Sequence, residues 1–316
     1  MNVLITGLMG HVGFSLANYL IKEGHTVIGI INRSKKRYNF KNVSKTKLIV
    51  KKIDLINENA VSKLLKNYKI DKCVHTAAIS HEIYAQKDPV NTLNINSSSV
   101  LNILNCIKKT RKNIKFINVS TGSVFQEINK KTNINESTVP TPKSLYSVTK
   151  RMGEILVSSF NNKGLNCTSI RISWVYGPPI KLNKNIIQRG PIPKIMYDFA
   201  INKKKKFQLK NGSNFRASFT YIDDVVSNIY KLLIKKNKLD QIYNLGTGKN
   251  NSLKEIFQIL KKIDKKIYFK IGPGAQPWSN DSVMRGPLVS KSKLLKCYYN
   301  LELGIINYLE WLKKNA

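Results

Sequence analysis

Three side chains in the middle of the chain have the chemistry to move a proton at an alcohol or carbonyl oxygen: Thr121, Tyr146 and Lys150. Tyr146 and Lys150 stand four positions apart, so on a helix they share a face. A lysine ammonium beside a phenol favours the phenolate and lowers the tyrosine pKa from its ordinary value of about 10. Tyr146 would then be a usable base near neutral pH, and the Thr121 hydroxyl could orient a substrate oxygen against it. Because a bare Tyr-x-x-x-Lys pair is common by chance, its meaning depends on the elements around it.

The first of those elements is a glycine-rich turn at residues 6–13. An apolar run (3–5) precedes the turn and an apolar-periodic stretch (12–21) follows it, which predicts strand, turn and helix in that order. Gly7, Gly10 and Gly13 permit a sharp bend and a close approach to a pyrophosphate, whose charge the helix N-terminus attracts. These glycines, with His11 and Val12, are therefore predicted to bind a dinucleotide. A glycine-rich turn without a ligand is the competing interpretation.

The residues after the second predicted strand (26–31) bear on the kind of dinucleotide. NAD enzymes usually carry an acidic residue there, bonded to the ribose 2′-hydroxyl, whereas a nearby arginine accommodates the 2′-phosphate of NADP. Here Asn32 and Arg33 follow the strand, with Lys35 close behind and no acidic residue. NADP is therefore favoured. NAD stays an alternative, because Arg33 and Lys35 are explained equally as two ordinary basic residues of a basic chain.

Two later strand ends complete the predicted cofactor site. Asp54 and Leu55 follow the third strand (48–53), where a carboxylate could reach an adenine edge; a turn or helix-cap role explains Asp54 equally well. Ala77 and Ala78 follow the fourth strand (72–76), and their small side chains leave room for a flat cofactor against the sheet. His75, within an apolar strand, is interpreted as a core histidine rather than a catalyst.

The order of the elements predicts the fold. Apolar runs and helical periodicity alternate through the first half, which indicates a parallel sheet with helices on both faces. The predicted class is α/β: a doubly wound parallel sheet (Rossmann) with a smaller C-terminal α/β substrate domain. Residues 1–175, with about 223–246, are assigned to the NAD(P)-binding domain, and residues 176–222 and 247–316 to the substrate-binding domain.

Composition limits the class of protein. The 316 residues are 42% hydrophobic with a formal net charge of +36. The lysines are spread along the chain without a platform of aromatic residues for bases, so we expect solvated basic surface and no specific nucleic-acid binding. No apolar window is long enough for a membrane span, and no metal site is predicted. Four well-separated cysteines and the absence of a signal-peptide pattern predict a cytoplasmic enzyme with reduced thiols.

Taken together, these motifs resemble the extended short-chain dehydrogenase/reductases, the NAD(P)-dependent sugar epimerase/dehydratase family. The resemblance covers nearly the whole chain, and Thr121, Tyr146 and Lys150 follow the glycine turn in the family's order. Further family-like stretches are residues 88–96, 171–178, 216–225 and 243–248.

The resemblance implies roles for the central residues. Tyr146 would move the proton of a sugar hydroxyl, Lys150 would hold the nicotinamide ribose and tune Tyr146, and Thr121 would bond the reacting oxygen. It also implies a homodimer formed through helices near 97–109 and 147–160.

The predicted substrate contacts are Ser123, Trp174, Arg216 and Arg285. The resemblance places Arg216 on the substrate's phosphates; without it, Arg216 would be an ordinary surface residue. Trp174 is equally well explained by packing, and Arg285 by solvated surface.

Departures from the family's sequence pattern narrow the choice among the family's reactions. The 4,6-dehydratases resembled here carry Asp-Glu directly after the threonine, whereas this chain has Gly122 and Ser123, which disfavours dehydration. The Cys/His pair of the 3,5-epimerase/reductases is not visible. Trp174 stands where nucleotide-sugar enzymes commonly have asparagine, and Leu145 replaces the usual proline before Tyr146.

The resulting prediction is an NAD(P)-dependent sugar epimerase that works by transient hydride transfer, most simply a nucleotide-sugar 4-epimerase. A 4-epimerase oxidises one carbon and needs no additional acid, which agrees with the absence of the Asp-Glu and Cys/His pairs from this sequence. Two alternatives remain: an NADP-dependent reductase or dehydrogenase of a sugar or sugar-acid carbonyl, and a non-catalytic dinucleotide-binding protein.

Overall fold

A computed structural model describes residues 1–32, 47–110, 113–126, 132–179, 190–274 and 286–315. Arg33, Lys35 and Arg285 lie outside the described residues. The strands are β1 (Asn2–Thr6), β2 (Thr26–Ile31), β3 (Leu48–Lys52), β4 (Lys72–His75), β5 (Lys115–Thr121), β6 (Cys167–Ile172), β7 (Trp174–Tyr176), β8 (Lys206–Leu209), β9 (Arg216–Ala217), β10 (Phe219–Tyr221), β11 (Ile242–Leu245), β12 (Asn251–Ser252) and β13 (Tyr268–Ile271). The helices are α1 (His11–Lys22), α2 (Glu58–Asn67), α3 (Glu82–Lys87), α4 (Pro89–Leu93), α5 (Ser99–Thr110), α6 (Leu145–Asn162), α7 (Pro191–Ala200), α8 (Ile222–Ile234), α9 (Leu253–Ile263) and α10 (Leu301–Asn315).

Seven strands form one central sheet in the order β11-β6-β5-β4-β1-β2-β3. The pairs β3–β2, β2–β1, β1–β4 and β4–β5 are parallel. The chain runs outward from β1 to β3 and then resumes with β4 on the other side of β1, so the strand order reverses between β1 and β4. In such sheets ligands bind beyond the carboxyl ends of the strands at this reversal. The predicted doubly wound α/β fold is confirmed.

The burial of the strands explains why the sequence forms this sheet. Every residue of β5 is buried, as are all but the first residue of β1. Strands covered by helices on both faces read as continuous apolar runs, which is the pattern of this chain's first half. One core lies between the sheet and helices α2, α5 and α6. It includes the strand residues Leu4, Ile28, Cys73 and Phe116 and the helix residues Val61, Leu65, Ile103, Ile107 and Val157.

The chain divides into two compact units that alternate along the sequence. The first comprises Met1–Val124, Pro142–Arg171 and Val226–Tyr243, and the second comprises Phe125–Thr141, Ile172–Val225 and Asn244–Ala316. Phe125–Thr141 thus lies with the second unit, whereas the sequence analysis assigns it to the first. Within the second unit β7 pairs with β10 and β8 with β13 in parallel, and β9 pairs with β12 antiparallel.

The sequence did not predict the segment between β4 and α5. This segment holds the short helices α3 and α4 and a π-helical turn, Asn94–Ser98. Single π-turns are frequent at functional sites. Among the described residues, no helix combines the length and the apolar character that crossing a membrane requires.

Candidate active site

The glycine turn joins β1 to α1 at the point where the strand order reverses. Gly7 has a φ of +68°, and a Cβ there would lie 2.6 Å from the Ala77 backbone nitrogen at the end of β4. A Cβ on Gly13 would lie 2.4 Å from the Gly7 carbonyl oxygen. Real Cβ atoms do not approach other atoms so closely, so the fold itself requires glycine at both positions.

Gly10 differs, because the protein's own atoms leave it more room. Within the part of the chain that the structure describes, a Cβ at Gly10 would meet one atom, the Gly7 carbonyl oxygen at 3.2 Å. Gly10 precedes the first residue of α1 and donates its N–H to that same carbonyl at 2.8 Å. Packing therefore gives a weak reason for glycine here, whereas close approach of a phosphate to the helix N-terminus gives a strong one. The turn fits the pyrophosphate of a dinucleotide, with His11 and Val12 half-buried at the start of α1.

The other predicted cofactor residues lie at the same edge of the sheet with differing surroundings. Asn32 is exposed just beyond β2. The carboxylate of Asp54 is exposed and accepts the Ile56 N–H at 3.2 Å, as a turn residue does. Leu55 belongs to the core, with 6% of its surface exposed. Ala77 donates its N–H to the Thr6 hydroxyl at 3.3 Å, and Ala78 is half-buried beside it.

His75 is a core residue, as the sequence predicts. Its ring is completely buried, with Nδ1 2.8 Å from the Thr6 hydroxyl and Nε2 3.3 Å from the Ser99 hydroxyl. Burial lowers the pKa of His75 to about 3, and the positive charge of Lys150 acts in the same direction. A histidine that stays neutral at physiological pH and is held between two hydroxyls serves the structure rather than proton transfer.

Thr121 and the attachment point of Lys150 both lie in the last three residues of β5. Thr121 is the last residue of that strand, and its hydroxyl accepts the Ser123 N–H at 3.1 Å. Lys150, on α6, is 2% exposed and donates from Nζ to the Val119 carbonyl at 2.7 Å. Burial lowers the pKa of Lys150 to about 8, although the carboxylate of Glu154 opposes the shift. The lysine therefore fastens α6 to β5 two residues before Thr121.

One turn further along α6, a buried carboxylate strengthens the same junction. Glu154 accepts the Ser120 hydroxyl at 2.6 Å and both Nε and Nη2 of Arg171 at 2.9 and 2.8 Å. Glu154 and Arg171 are each 2% exposed. A buried ion pair with this many hydrogen bonds fixes the position of its elements, since losing either partner would leave a buried charge uncompensated.

Tyr146 is the second residue of α6, one helical turn before Lys150. It is half-buried, and its backbone is bonded on both sides. Its N–H donates to Glu82 Oε2 at 2.9 Å, and its carbonyl accepts the Thr149 hydroxyl at 3.0 Å. The Asn96 side chain, fully buried in the π-helical turn, donates to that hydroxyl at 3.1 Å. The structure thus places Thr121, Tyr146 and Lys150 at one junction of the first unit, between β5 and the start of α6.

The predicted substrate residues have other surroundings. Ser123 is half-buried in a 3-10 turn, Gly122–Val124. Trp174, in the second unit, packs edge-on against Phe215 and Phe219 with ring centroids 5.9 and 6.3 Å away. This agrees with the packing interpretation of Trp174. Arg216 is exposed in the same unit.

Among the described residues, the hydrogen bonds that the Arg216 guanidinium donates are local. Its Nη1 donates to the Phe215 carbonyl at 2.9 Å and to the Ser213 carbonyl at 3.4 Å. Arg285 lies outside the described part of the chain. The sequence did not predict that Glu82 contributes to this junction. The one hint in the sequence is Leu145, which has an N–H to donate where the family's proline has none.

Comparison with known proteins identifies the relatives of this arrangement. A family model described as GDP-mannose 4,6 dehydratase matches residues 4–277. Protein CapI of Staphylococcus aureus is 28% identical over 309 residues, covering 88% of this chain and 89% of its own. The UDP-glucuronate 4-epimerase of Thermodesulfobacterium geofontis is 26% identical over 338 residues, covering 99% of this chain and 96% of its own.

Two solved structures share the fold. The UDP-glucose 4-epimerase of Thermotoga maritima, solved with UDP-glucose, has a TM-score of 0.82 at 22% identity and covers 99% of both chains. The UDP-glucose 4-epimerase of Thermus thermophilus, solved with NAD, has a TM-score of 0.80 at 21% identity and covers all of both chains, at 100% each. At these identities the structures show a common fold, and the family match rests on the sequence.

Proposed function

This chain belongs to the NAD(P)-dependent sugar epimerase/dehydratase family of extended short-chain dehydrogenase/reductases, and on that premise we propose that it is a nucleotide-sugar 4-epimerase. The observation that carries the proposal is the junction of β5 and α6. There Lys150 bonds to the Val119 carbonyl two residues before Thr121, and Tyr146 lies one helical turn before Lys150 on α6. The residues directly after Thr121, Gly122 and Ser123, bring no carboxylate. The names of the 4-epimerase relatives support the same reaction.

The protein's part in the reaction follows from these side chains. A bound NAD(P) would supply the acceptor and donor of hydride at the sugar's C4. As a phenolate, Tyr146 takes the proton of the C4 hydroxyl as that carbon is oxidised; as the resulting phenol, it returns the proton after the keto-sugar has turned over. The Thr121 hydroxyl holds the reacting oxygen, and the Lys150 cation favours the phenolate of Tyr146. Gly7, Gly10 and Gly13, with the N-terminus of α1, would hold the pyrophosphate.

Dehydration is the family's other reaction, and the matching model is named for it. Eliminating water across neighbouring carbons needs an acid and a base besides the tyrosine, which the dehydratases carry in the Asp-Glu pair. Gly122 is buried and has no side chain, and Ser123 has only a hydroxyl. These residues support a reaction that needs no additional carboxylates.

The choice of dinucleotide stays a separate prediction. The basic residue Arg33 after β2 favours NADP, whereas the Thermus thermophilus structure contains NAD. Releasing the nucleotide from purified protein by denaturation and identifying it by chromatography would decide between them. An Arg33→Asp variant that loses NADP but binds NAD would assign the preference to that side chain.

The proposal is tested by incubating the enzyme with UDP-, GDP- and dTDP-sugars, UDP-glucose and UDP-glucuronate first, and following the sugars by NMR. We expect one C4 epimer pair to interconvert without net change in absorbance near 340 nm. Tyr146→Phe should lower the rate by about 10²–10⁴-fold, because it removes the acid–base group. No turnover with any sugar, or full activity of the variant, would refute the proposal.

A second candidate is an NADP-dependent reductase or dehydrogenase of a sugar or sugar acid. Trp174 in place of the family's asparagine, and Arg33 after β2, favour it. Such an enzyme releases its cofactor, so stoichiometric absorbance change near 340 nm with added NADP(H) would distinguish it from an epimerase.

Three further features belong to the proposal. We place Arg216 on the phosphates of the nucleotide and take Arg285 as a contact for an anionic group of the substrate, with the second unit as the sugar-binding part. A homodimer would cover the exposed apolar residues Leu101 on α5 and Ile155 on α6. A cytoplasmic setting is supported by the buried free thiols of Cys73, Cys106 and Cys167.

A further inference from the structure

We propose that Glu82 is a positioning residue for Tyr146, acting through the backbone of the first turn of α6. The inference rests on the proposed function, because it assigns Glu82 a part in placing the phenol that function requires. Glu82 is the first residue of α3, and α6 begins with Leu145. Its carboxylate spans the first two residues of α6: Oε1 accepts the Leu145 N–H at 3.1 Å and Oε2 accepts the Tyr146 N–H at 2.9 Å.

The carboxylate completes the N-terminus of α6. The first turn of a helix has N–H groups without partners inside the helix, which side chains or water must satisfy. Ser144 satisfies the Ser147 N–H with its hydroxyl at 3.3 Å, and Val148 already bonds to the Ser144 carbonyl at 2.9 Å. Leu145 and Tyr146 therefore remain, and Glu82 takes both. Two bonds from one rigid carboxylate restrain rotation of the turn, whereas separate waters would not.

The segment between β4 and α5, which carries Glu82, also holds the other side of the Tyr146 backbone. Asn96 accepts the Ile79 N–H at 2.9 Å and donates to the Ile79 carbonyl at 3.2 Å. The same amide donates to the Thr149 hydroxyl, which donates to the Tyr146 carbonyl. The segment between β4 and α5 thus holds the Tyr146 backbone at both its N–H and its carbonyl.

Backbone strain beside Glu82 indicates that this geometry is enforced. His81, which directly precedes Glu82, has a φ of 106°, a region that side-chain-bearing residues seldom adopt. Such conformations persist where the surroundings over-determine them, and they cluster at functional sites.

Electrostatics and the sequence departure at residue 145 agree with the role. A carboxylate at a helix N-terminus interacts favourably with the helix dipole, and its hydrogen bonds to N–H groups are charge-assisted. Leu145 stands where the family pattern has proline, which has no N–H to donate. The leucine therefore supplies one of the two donors that Glu82 uses.

The consequence for catalysis is a matter of placement. Small displacements of a reacting group reduce rate far more than they reduce binding. For Glu82→Ala, and to a smaller degree for the isosteric Glu82→Gln, we expect kcat to fall about 10–100-fold with KM changed less than about twofold. The melting temperature should move no more than in the control Asp88→Asn, which removes a carboxylate that caps α4 through the Asn91 N–H at 3.1 Å.

A double-mutant cycle with Leu145→Pro tests the route of the effect. Proline is well accommodated at the first position of a helix, so this variant removes one donor without breaking α6. If Glu82 acts through these N–H groups, Glu82→Gln should cost less rate in the Leu145→Pro background than in the wild type. Equal costs in both backgrounds would contradict the inference.

Hydrogen–deuterium exchange separates this inference from the proposed function. In Glu82→Ala, peptides spanning residues 144–150 should exchange faster than in the wild type, while Asp88→Asn leaves them unchanged. If the wild type turns over no nucleotide sugar, the proposed function fails, and the exchange result still decides whether Glu82 holds the turn. Unchanged exchange, or a kcat within about twofold of the wild type in Glu82→Ala, would overturn the inference.

Discussion

Among single residues, Lys150 determines whether Tyr146 can act as a base, because its positive charge favours the Tyr146 phenolate. Its ammonium is buried against the Val119 carbonyl, and burial lowers its pKa to about 8. Below that pH the lysine is a cation that favours the Tyr146 phenolate, and above it the cation is lost.

We therefore predict that kcat decreases as pH rises through about 8. Lys150→Arg keeps a positive charge at all accessible pH values, so its kcat, although lower, should not show that decrease. A pH–rate profile of both proteins with saturating nucleotide sugar makes the comparison. A wild-type kcat that stays level to pH 10 would contradict this role for Lys150.

The sequence predicted the residues whose motif is local and missed those joined across the chain. Tyr146 and Lys150 are four apart on one helix, so their spacing made them candidates. Glu82 contacts Leu145 across 63 residues, and no pattern in the chain connects the two. Trp174 had two interpretations because its neighbours Phe215 and Phe219 also lie far along the chain from it, and the aromatic packing is visible in the fold alone.

At the scale of elements, the glycine turn makes two separate demands on its residues. The fold requires Gly13, because a Cβ there would lie 2.4 Å from the Gly7 carbonyl oxygen. Among the described residues, a Cβ on Gly10 would meet one atom, the Gly7 carbonyl oxygen at 3.2 Å, so the requirement for glycine comes mainly from the dinucleotide.

Alanine substitutions separate these demands. Gly10→Ala should cost about 1 kcal/mol of folding free energy or less, yet weaken dinucleotide binding about tenfold or more. Gly13→Ala should destabilise the protein by about 3 kcal/mol or more, because backbone must move. Chemical denaturation and titration calorimetry give the two quantities. Unchanged dinucleotide affinity in Gly10→Ala would remove the turn from the cofactor site.

The junction of α6 with β5 and β6 gives a second test at this scale. Arg171→Met leaves Glu154 buried without its main partner, so we expect a loss of about 3–5 kcal/mol in unfolding free energy. Arg151→Met removes a partner of the same carboxylate whose side chain is 32% exposed, and should cost less than about 1 kcal/mol. Equal losses in the two variants would contradict the importance of the buried pair.

The strands and helices could be predicted where the apolar pattern continues over enough residues. The strands and helices of the sheet have the apolar runs expected of buried strands and the periodicity of covering helices. Helices α3 and α4 are too short for a periodic pattern, and the π-helical turn Asn94–Ser98 has none. Those are the elements that carry Glu82 and Asn96, so the missed part of the site coincides with the missed part of the fold.

At the scale of the whole molecule, the order of the elements was enough to predict the doubly wound sheet. The interleaving of the two units was harder, because Phe125–Thr141 departs to the second unit between β5 and α6. No composition change marks that excursion. The segment begins after Val124 and ends before Pro142, so in the sequence it separates two proposed catalytic residues, Thr121 and Tyr146.

The proposed homodimer is tested at the same scale. Leu101 and Ile155 are 44% and 53% exposed on α5 and α6, helices the family resemblance places in the interface. Leu101→Asp together with Ile155→Asp should convert a dimer to a monomer in light scattering, since burying two carboxylates is unfavourable. Val139→Asp, which changes an apolar residue 74% exposed in the second unit, should leave the mass unchanged. A wild-type protein of monomer mass would refute the homodimer.

The central claim is that this protein epimerises a nucleotide sugar by transient oxidation at C4. The most direct measurement uses the substrate found in the sugar panel, synthesised with deuterium at C4, and follows both epimers by NMR and mass spectrometry in ordinary water. The account predicts that the product epimer retains the deuterium at C4, because the hydrogen that leaves that carbon returns to it. An epimer whose C4 deuterium has been replaced by solvent hydrogen would contradict the account.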